Sequence, residues 1–262
     1  MDSNVTVLNF DQTYHKQSFL QAENCESLDF EQMPSTNLFC EKESLFQIDQ
    51  RLRQRRMSQI TFLGSGNYHY VSYLLLSEIQ RPFSLVLFDH HTDMFPSPSD
   101  SLIACGSWVR ESLEKLPMLK KVIIIGVNED WQQQIPSFAE EKMAVYSKQS
   151  LHTDYSNTIK SIMKEIATDT VYISIDKDVL DLKEAVTAWD HGTMNLNQLM
   201  EIVEKIISDK DISGIDICGE YPISPTNEYN KRTREAVKKN ERANRIIIEH
   251  LTQCIGLSPS FN

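Results

Sequence analysis

Apolar and polar positions along this chain follow two different periods, which predict two kinds of element. Short apolar or β-branched runs bounded by polar or turn residues are typical of strands. Six such runs predict strands at Gln59 to Leu63, Leu85 to Phe88, Val122 to Gly126, Ala144 to Tyr146, Val171 to Ile175 and Ile212 to Ile217. The first 50 or so residues carry a weaker pattern.

Between these runs, apolar residues recur at helical spacing. The predicted helices are Tyr70 to Ile79, Gly106 to Leu116, Ser156 to Ala167, Asn195 to Ile207 and a long charged helix at Asn227 to Gln253. Basic residues of the last helix are interleaved with glutamates, which indicates a solvated face rather than a nucleic-acid contact. Strands that alternate with helices predict an α/β fold with a mostly parallel sheet and right-handed crossovers.

Length and composition narrow the class of protein. The 262 residues contain 40% hydrophobic and 24% charged side chains, and without a convincing linker we expect a single domain over residues 1–262. The net charge of −11 argues against nucleic acid or an anionic membrane as the partner. Five widely spaced cysteines without a CxxC pair, and a start unlike a signal peptide, predict a cytoplasmic protein.

Candidate metal ligands form three short clusters, two of which directly follow predicted strands. They are His69, Asp89, His91, Asp93, Asp176 and Asp178. The carboxyl ends of parallel strands border the crevice where ligands bind in open α/β sheets. Alternate residues of an extended segment point the same way, so we expect the side chains of each cluster to reach one pocket.

The chemistry of these residues favours a pair of metal ions. Asp and His at strand ends often only cap loops or helices, but packing four uncompensated acids into one crevice would be strongly unfavourable. An oxygen-rich set with few nitrogens suits Mn²⁺ better than structural Zn²⁺, which prefers closed Cys or His sites. We therefore expect a two-metal site that activates a water.

The order of the motifs resembles the ureohydrolase family, which contains arginases, agmatinases and formimidoylglutamases. The family pattern of a glycine-rich turn ending in histidine, then DxHxD, then SxDxDxxD, matches Gly66 to His69, Asp89 to Asp93 and Ser174 to Asp181. The resemblance implies an arginase-like three-layer sandwich and assembly as trimers or hexamers.

The resemblance also implies two Mn²⁺ per subunit. Asp89 and Asp176 would bridge the ions, His69 and Asp93 would complete one, and His91 and Asp178 the other. A metal-bridging hydroxide, oriented by Asp93 or Asp178, would attack a non-peptide C–N bond in a linear amidine or guanidino compound. Asp93 or a nearby acid would deliver a proton to the leaving nitrogen.

Three positions depart from the family pattern. Cys105 stands where arginases and agmatinases usually have a histidine, and it is a candidate catalytic thiol, a substrate contact or a small buried residue. The resemblance implies a substrate-binding glutamate at position 219, but the glutamate here is Glu220, one residue later, which either does the same job through a local bulge or faces away. Asp190 is a candidate for substrate binding, and His191 is either a replacement for the missing proton shuttle or an ordinary surface-loop histidine.

Other functions stay open at this stage. A formimidoylglutamase-like or amide hydrolase with the same metals is the second candidate, because those enzymes resemble this chain more closely at Cys105. A metal-binding homologue with altered catalysis is a third. Zinc deacetylases, which typically use one zinc and fewer carboxylates, fit less well. Tyr68, Trp108 and Trp189 are candidates either to wall the pocket or to fill the core, and packing in the core is the default expectation.

Overall fold

An eight-stranded parallel sheet forms the centre of the protein. The structure is a computed structural model and describes residues 5–22, 25–56, 58–132 and 135–256. The strands are β1 (Val5–Asn9), β2 (Cys25–Asp29), β3 (Phe39–Glu41), β4 (Ile60–Phe62), β5 (Phe83–Phe88), β6 (Leu102–Ala104), β7 (Leu119–Val127), β8 (Met143–Ser147), β9 (Thr170–Asp176) and β10 (Asp211–Cys218). The order in the sheet is β2-β1-β4-β10-β9-β5-β7-β8. The predicted parallel sheet is confirmed, and β1 and β2 extend it beyond the prediction.

Helices connect the strands and cover both faces of the sheet. They are α1 (Lys42–Leu52), α2 (Val71–Ser77), α3 (Trp108–Lys115), α4 (Glu129–Gln132), α5 (Lys148–Thr153), α6 (Tyr155–Glu165), α7 (Leu196–Asp209) and α8 (Lys231–Cys254). All five predicted helices are present with somewhat different ends. None of the helices in the described part of the chain has both the length and the apolar composition needed to cross a bilayer.

Two apolar cores lie on opposite faces of the sheet, because neighbouring residues of a strand point in opposite directions. Leu85 and Leu87 pack in the core that contains residues of α1, α2 and α3, whereas Val86 and Phe88 pack in the core with residues of α5 to α8. The central strands β5 and β7 are buried on both faces over most of their length and are therefore mainly apolar there. The result is three layers, helices on a sheet on helices.

A small two-stranded sheet lies apart from the main one and shapes the functional site. β3 and β6 pair antiparallel, and the backbone N–H of Cys105 donates to the carbonyl of Leu38 at 3.0 Å. Residues that are far apart in sequence thereby meet at the carboxyl edge of the main sheet. The pattern did not predict these strands, because both are short and only the middle residue of β3 is buried.

Candidate metal centre

The three motif clusters meet at the carboxyl edge of neighbouring strands. Asp89 follows β5, and Asp176 is the last residue of β9, which pairs with β5 on one side and β10 on the other. His69 follows β4 at the end of a short 3₁₀ turn over Gly66–Tyr68. Their side chains are buried, with 1% to 3% of each residue exposed.

The DxHxD segment reaches the site by a bend rather than by an extended strand, so the predicted route is corrected. The Asp89 carboxylate accepts a hydrogen bond from the backbone N–H of His91 at 2.6 Å. Asp93 adopts φ of 50°, a left-handed conformation that is strained for a non-glycine residue and that occurs often at functional sites. The indole Nε1 of Trp108 donates to Asp93 Oδ2 at 2.6 Å and fixes that carboxylate.

Two donor clusters result, and the Asp89 carboxylate contributes to both. In the first, His69 Nδ1 lies 3.5, 3.4 and 3.5 Å from Oδ2 of Asp89, Asp93 and Asp176. In the second, His91 Nδ1 lies 3.4 Å from Asp89 Oδ1 and 2.9 Å from Asp178 Oδ2. The family resemblance implied the same division of these residues, and metal binding by them stays a prediction.

Asp176 faces the first cluster with one oxygen, while its Oδ1 accepts from the backbone N–H of Asp178 at 3.0 Å. A bridging role for Asp176 therefore stays a prediction.

Burial and mutual repulsion oppose ionisation of these acids. Burial raises the pKa of Asp89 well above its usual value, and the charges of Asp178 and Asp93 raise it further. Burial likewise raises the pKa of Asp176, and it raises that of Asp93 to about 8. A site of this kind needs cations if all its acids are to be ionised near neutrality.

A hydrogen-bond chain behind His69 sets which ring nitrogen faces the acids. The Ser174 hydroxyl donates to Asp216 Oδ1 at 2.6 Å, so Ser174 Oγ accepts from His69 Nε2 at 2.9 Å. Burial lowers the pKa of His69 to about 4, which keeps the ring neutral. The lone pair of Nδ1 then points toward three carboxylates, an arrangement that a cation between them would stabilise.

The donor set therefore fits two divalent cations with an oxygen-rich environment. His69, Asp89, Asp93 and Asp176 would surround one ion, and Asp89, His91 and Asp178 the other. Two imidazoles among several carboxylates match the preferences of Mn²⁺. Sequence reasoning missed Ser174 and Asp216 as supports, although Ser174 belongs to the SxDxD motif and Asp216 pairs with it on β10.

Cys218 was also missed, although β10 places it directly beside Asp176. Its thiol donates to Asp176 Oδ2 at 3.1 Å, and Cys218 is completely buried.

The next residue, Gly219, has φ of 88°, and a Cβ there would lie 2.5 Å from Asp176 Oδ1. Residue 219 is where the family pattern places its glutamate, so this packing explains why Gly219 stands there and the acid comes later.

Glu220 requires a correction, because it does not lie in the pocket above the donor clusters. The residue is 1% exposed, and its carboxylate forms an ion pair with Lys177, whose side chain is fully buried. Gln17 and Asn244 donate to the same carboxylate, each at 2.7 Å, and Asn240 donates at 3.3 Å. The predicted substrate contact of Glu220 therefore has no support from the geometry.

The geometry of His191 agrees with an ordinary loop histidine rather than with a proton shuttle. Its Nε2 accepts from the backbone N–H of Thr187 at 3.0 Å, which leaves Nδ1 to donate to the Leu180 carbonyl at 2.9 Å. Both ring nitrogens are engaged within its own loop, so the geometry does not favour a proton shuttle at His191. Asp190 does reach the site, where its Oδ1 lies 2.9 Å from His91 Nε2.

A pocket with a volume of about 510 Å³ opens above the two donor clusters. Cys105 lines it and is half-buried. Burial, reinforced by the negative charge of Asp93, raises the pKa of the thiol to about 12. Cys105 is thus protonated near neutrality, which favours a contact role over a thiolate nucleophile.

The large aromatic residues divide between core and pocket. Tyr68 stacks on Phe10 with ring centroids 4.4 Å apart, and Trp108 is fully buried, as expected. Trp189, in contrast, is 38% exposed and lines the pocket together with Trp131, which agrees with the pocket alternative rather than with the default place in the core.

Sequence comparison finds related bacterial proteins. An uncharacterized protein of Thermotoga maritima is 37% identical over 162 residues, which make up 62% of this chain and 58% of that protein. The agmatinase of Bacillus subtilis is 22% identical over 186 residues, 68% of this chain and 60% of the agmatinase. The alignments thus span about three fifths of the length of these curated relatives.

Solved structures share the fold. The formiminoglutamase of Trypanosoma cruzi, determined with Mn²⁺, superimposes with a TM-score of 0.68 at 10% identity, covering 98% of this chain and 95% of that one. A family model described as the arginase family matches residues 4–240. The three-layer α/β sandwich is therefore confirmed, and the chain belongs to the arginase family.

Proposed function

We propose that this chain is a binuclear manganese-dependent hydrolase that cleaves a non-peptide C–N bond in a linear amidine or guanidino compound. One observation carries the proposal: two donor clusters share the Asp89 carboxylate at the base of a pocket. Two Mn²⁺ ions, when bound, would supply an activated water near neutrality and would stabilise the charge that develops during attack.

The residues of the chain would divide the remaining work. Asp178 accepts from the backbone N–H of His90 at 3.0 Å and contacts the His91 ring, so its orientation is fixed from two sides. We assign to Asp178 the orientation of the water. We assign to Asp93, which Trp108 holds in place, the delivery of a proton to the leaving nitrogen. Asp190 lies 2.9 Å from His91 Nε2 and would orient that ring, and a substrate contact by Asp190 stays a prediction.

A second candidate is hydrolysis of a formimino or amide group with the same metals. The buried ion pair of Glu220 with Lys177 favours it, because that carboxylate is not available to recognise a guanidinium. Cys105 in the pocket, where arginases have a histidine, favours it as well. Assembly as trimers or hexamers, the cytoplasmic location and the single domain over residues 1–262 stay predictions.

Product analysis separates these candidates. The protein is loaded with Mn²⁺, its bound metal is counted, and release of urea, ammonia and formamide is measured over a series of guanidino, amidine, formimino and amide compounds. Urea would identify a guanidino substrate, and formamide would identify a formimino group. One zinc ion per chain, or equal activity after complete removal of divalent metal, would refute the proposal.

A further inference from the structure

The walls of the pocket differ in chemistry from its base. The base carries the imidazoles and carboxylates of the two donor clusters, whereas the walls above are mainly apolar. The large apolar side chains of the walls are Leu38, Phe39, Phe95, Pro96, Trp131 and Trp189. Whatever part of a substrate extends from the reacting carbon must lie against these side chains.

A row of aromatic rings runs from the donor clusters toward solvent. Trp189 and Trp131 each contact the His91 ring edge-on, with centroids 5.9 and 5.5 Å away. Phe95 continues the row, 5.7 Å from Trp131 and nearly perpendicular to it. Because His91 belongs to a donor cluster, a group bonded to the reacting carbon would meet these rings next.

Three of these aromatic residues remain substantially exposed. Phe39 is 46% exposed, Phe95 is 45% exposed and Trp189 is 38% exposed. Several large aromatic surfaces around one opening are typical of a binding site, since water contacts them unfavourably until a ligand covers them. Their grouping at the pocket, rather than dispersal over the surface, distinguishes them from ordinary exposed apolar residues such as Phe46.

The charges of the pocket exclude some substrates. Among the described residues that line it there is no lysine or arginine. Two divalent cations would balance the four carboxylates at the base, which leaves Asp190 as the remaining charged lining residue. A carboxylate on the substrate would be removed from water without a basic partner and would approach Asp190, so it would be disfavoured. An ammonium group would instead meet apolar walls and an aspartate that already contacts His91.

From the walls and the charges we propose that the substrate carries an apolar tail, preferably an aryl group, that packs between Phe39 and the Phe95–Trp131–Trp189 row. This inference rests on the proposed function only for the reacting group at the metal centre. Free amino-acid derivatives, which carry a carboxylate, are then poor substrates. The pocket volume of about 510 Å³ exceeds what an amidine or guanidine group alone would fill, which leaves room for the tail.

Four probes test the tail directly. They are guanidines with the same four-carbon chain, ending in phenyl, methyl, carboxylate or ammonium. Calorimetry gives the Kd of each for the manganese-loaded protein, and product release is measured separately. We expect the phenyl probe to bind at least about tenfold more tightly than the carboxylate probe, because burial of a ring is favourable here and burial of an unpaired carboxylate is not.

Variants show whether the aromatic row is responsible. Trp131→Ala and the milder Phe95→Leu should weaken binding of the phenyl probe while leaving binding of the methyl probe nearly unchanged, which a general loss of structure would not do. Phe46→Ala removes an exposed aromatic side chain outside the pocket and should change neither value.

The outcomes separate the two proposals. The apolar tail would be overturned if the carboxylate or ammonium probe bound as tightly as the phenyl probe, or if no probe bound. It would also be overturned if both row variants kept the phenyl preference unchanged. If the phenyl probe binds preferentially but no compound in the wider product screen is hydrolysed, the proposed function is refuted and the tail preference stands.

Discussion

Removing either charge of the buried pair between Lys177 and Glu220 should destabilise the protein strongly, whereas removing both should not double the loss. Lys177 lies between Asp176 and Asp178, and its side chain points away from the metal centre into a polar cluster. The side chains of Lys177 and Glu220 are 0% and 1% exposed. Each charge therefore depends on the other for compensation.

The size of the effect follows from burial. Removing one partner of a buried ion pair typically costs about 3–5 kcal/mol, because it leaves an uncompensated charge. Lys177→Met would leave the Glu220 carboxylate with amide donors alone, and Glu220→Gln would leave the ammonium with the Asn244 carbonyl oxygen at 2.8 Å. Independent losses would sum to about 6–10 kcal/mol, comparable with the whole unfolding free energy of about 5–15 kcal/mol typical of proteins.

A double-mutant cycle measures the coupling. Urea unfolding followed by circular dichroism gives the unfolding free energy of wild type, Lys177→Met, Glu220→Gln and the double variant at one fixed Mn²⁺ concentration. We expect the double variant to lose at least about 2 kcal/mol less than the sum of the single losses. The matched changes Lys231→Met and Glu235→Gln affect an exposed pair on α8 and should have almost no effect.

Additive losses, within about 0.5 kcal/mol, would refute this reasoning, because the two charges would then act independently. Single losses as small as those of the exposed pair would refute it as well, since they would mean that the pair is not buried in solution.

Three further predictions concern the metal centre and its supports. Asp178→Ala should lower the Mn²⁺ content toward one ion per chain and reduce the rise in Tm that Mn²⁺ produces, because bound metal stabilises the folded state; unchanged metal content would contradict the assignment. Cys105→Ser should retain metal content and measurable turnover while changing KM, because burial keeps the thiol protonated; complete loss of turnover at full metal content would indicate a covalent role. Burial raises the pKa of Asp216 from 3.8 to about 6. Its stabilising contribution to the unfolding free energy is therefore fully present below pH 3.8 and is lost as the pH rises through about 6. Between pH 4 and pH 7, the unfolding free energy of wild type should therefore fall by roughly 2–3 kcal/mol relative to that of Asp216→Asn. A parallel pH dependence of the two proteins would contradict this.

Most of the fold was predictable, because the central strands contain apolar runs that are visible in the sequence. β5, β7 and β9 are covered on both faces over most of their length, so each contains a stretch of consecutive apolar residues. β2 lies at the edge of the sheet with a mixed pattern of half-buried and exposed residues, and it therefore resembles a loop in sequence. β1 was missed although four of its five residues are buried, since it carries only a brief apolar alternation.

The site was predictable where the motifs are local and unpredictable where distant segments meet. The three clusters come together because each is tied to a strand end or to the turn after one. Lys177 could not be assigned from sequence, because its partners Glu220 and Asn244 come from distant segments. One side of the pocket, with Phe39 and Ala104, depends on the pairing of β3 with β6, which are distant in sequence and carry no clear apolar pattern.

Gly219 restricts which residue types position 219 can accept, and it disfavours the glutamate that the family pattern places there. A side chain there would collide with the Asp176 carboxylate and lie 2.7 Å from the Lys177 backbone nitrogen, in a backbone conformation with φ of 88° that only glycine adopts easily. A single Gly219→Glu exchange would therefore disturb Asp176 before it could restore a substrate contact. A glutamate at position 219 would therefore require at least one compensating change along the 176–178 segment, so engineering the usual substrate contact into this chain takes more than one substitution.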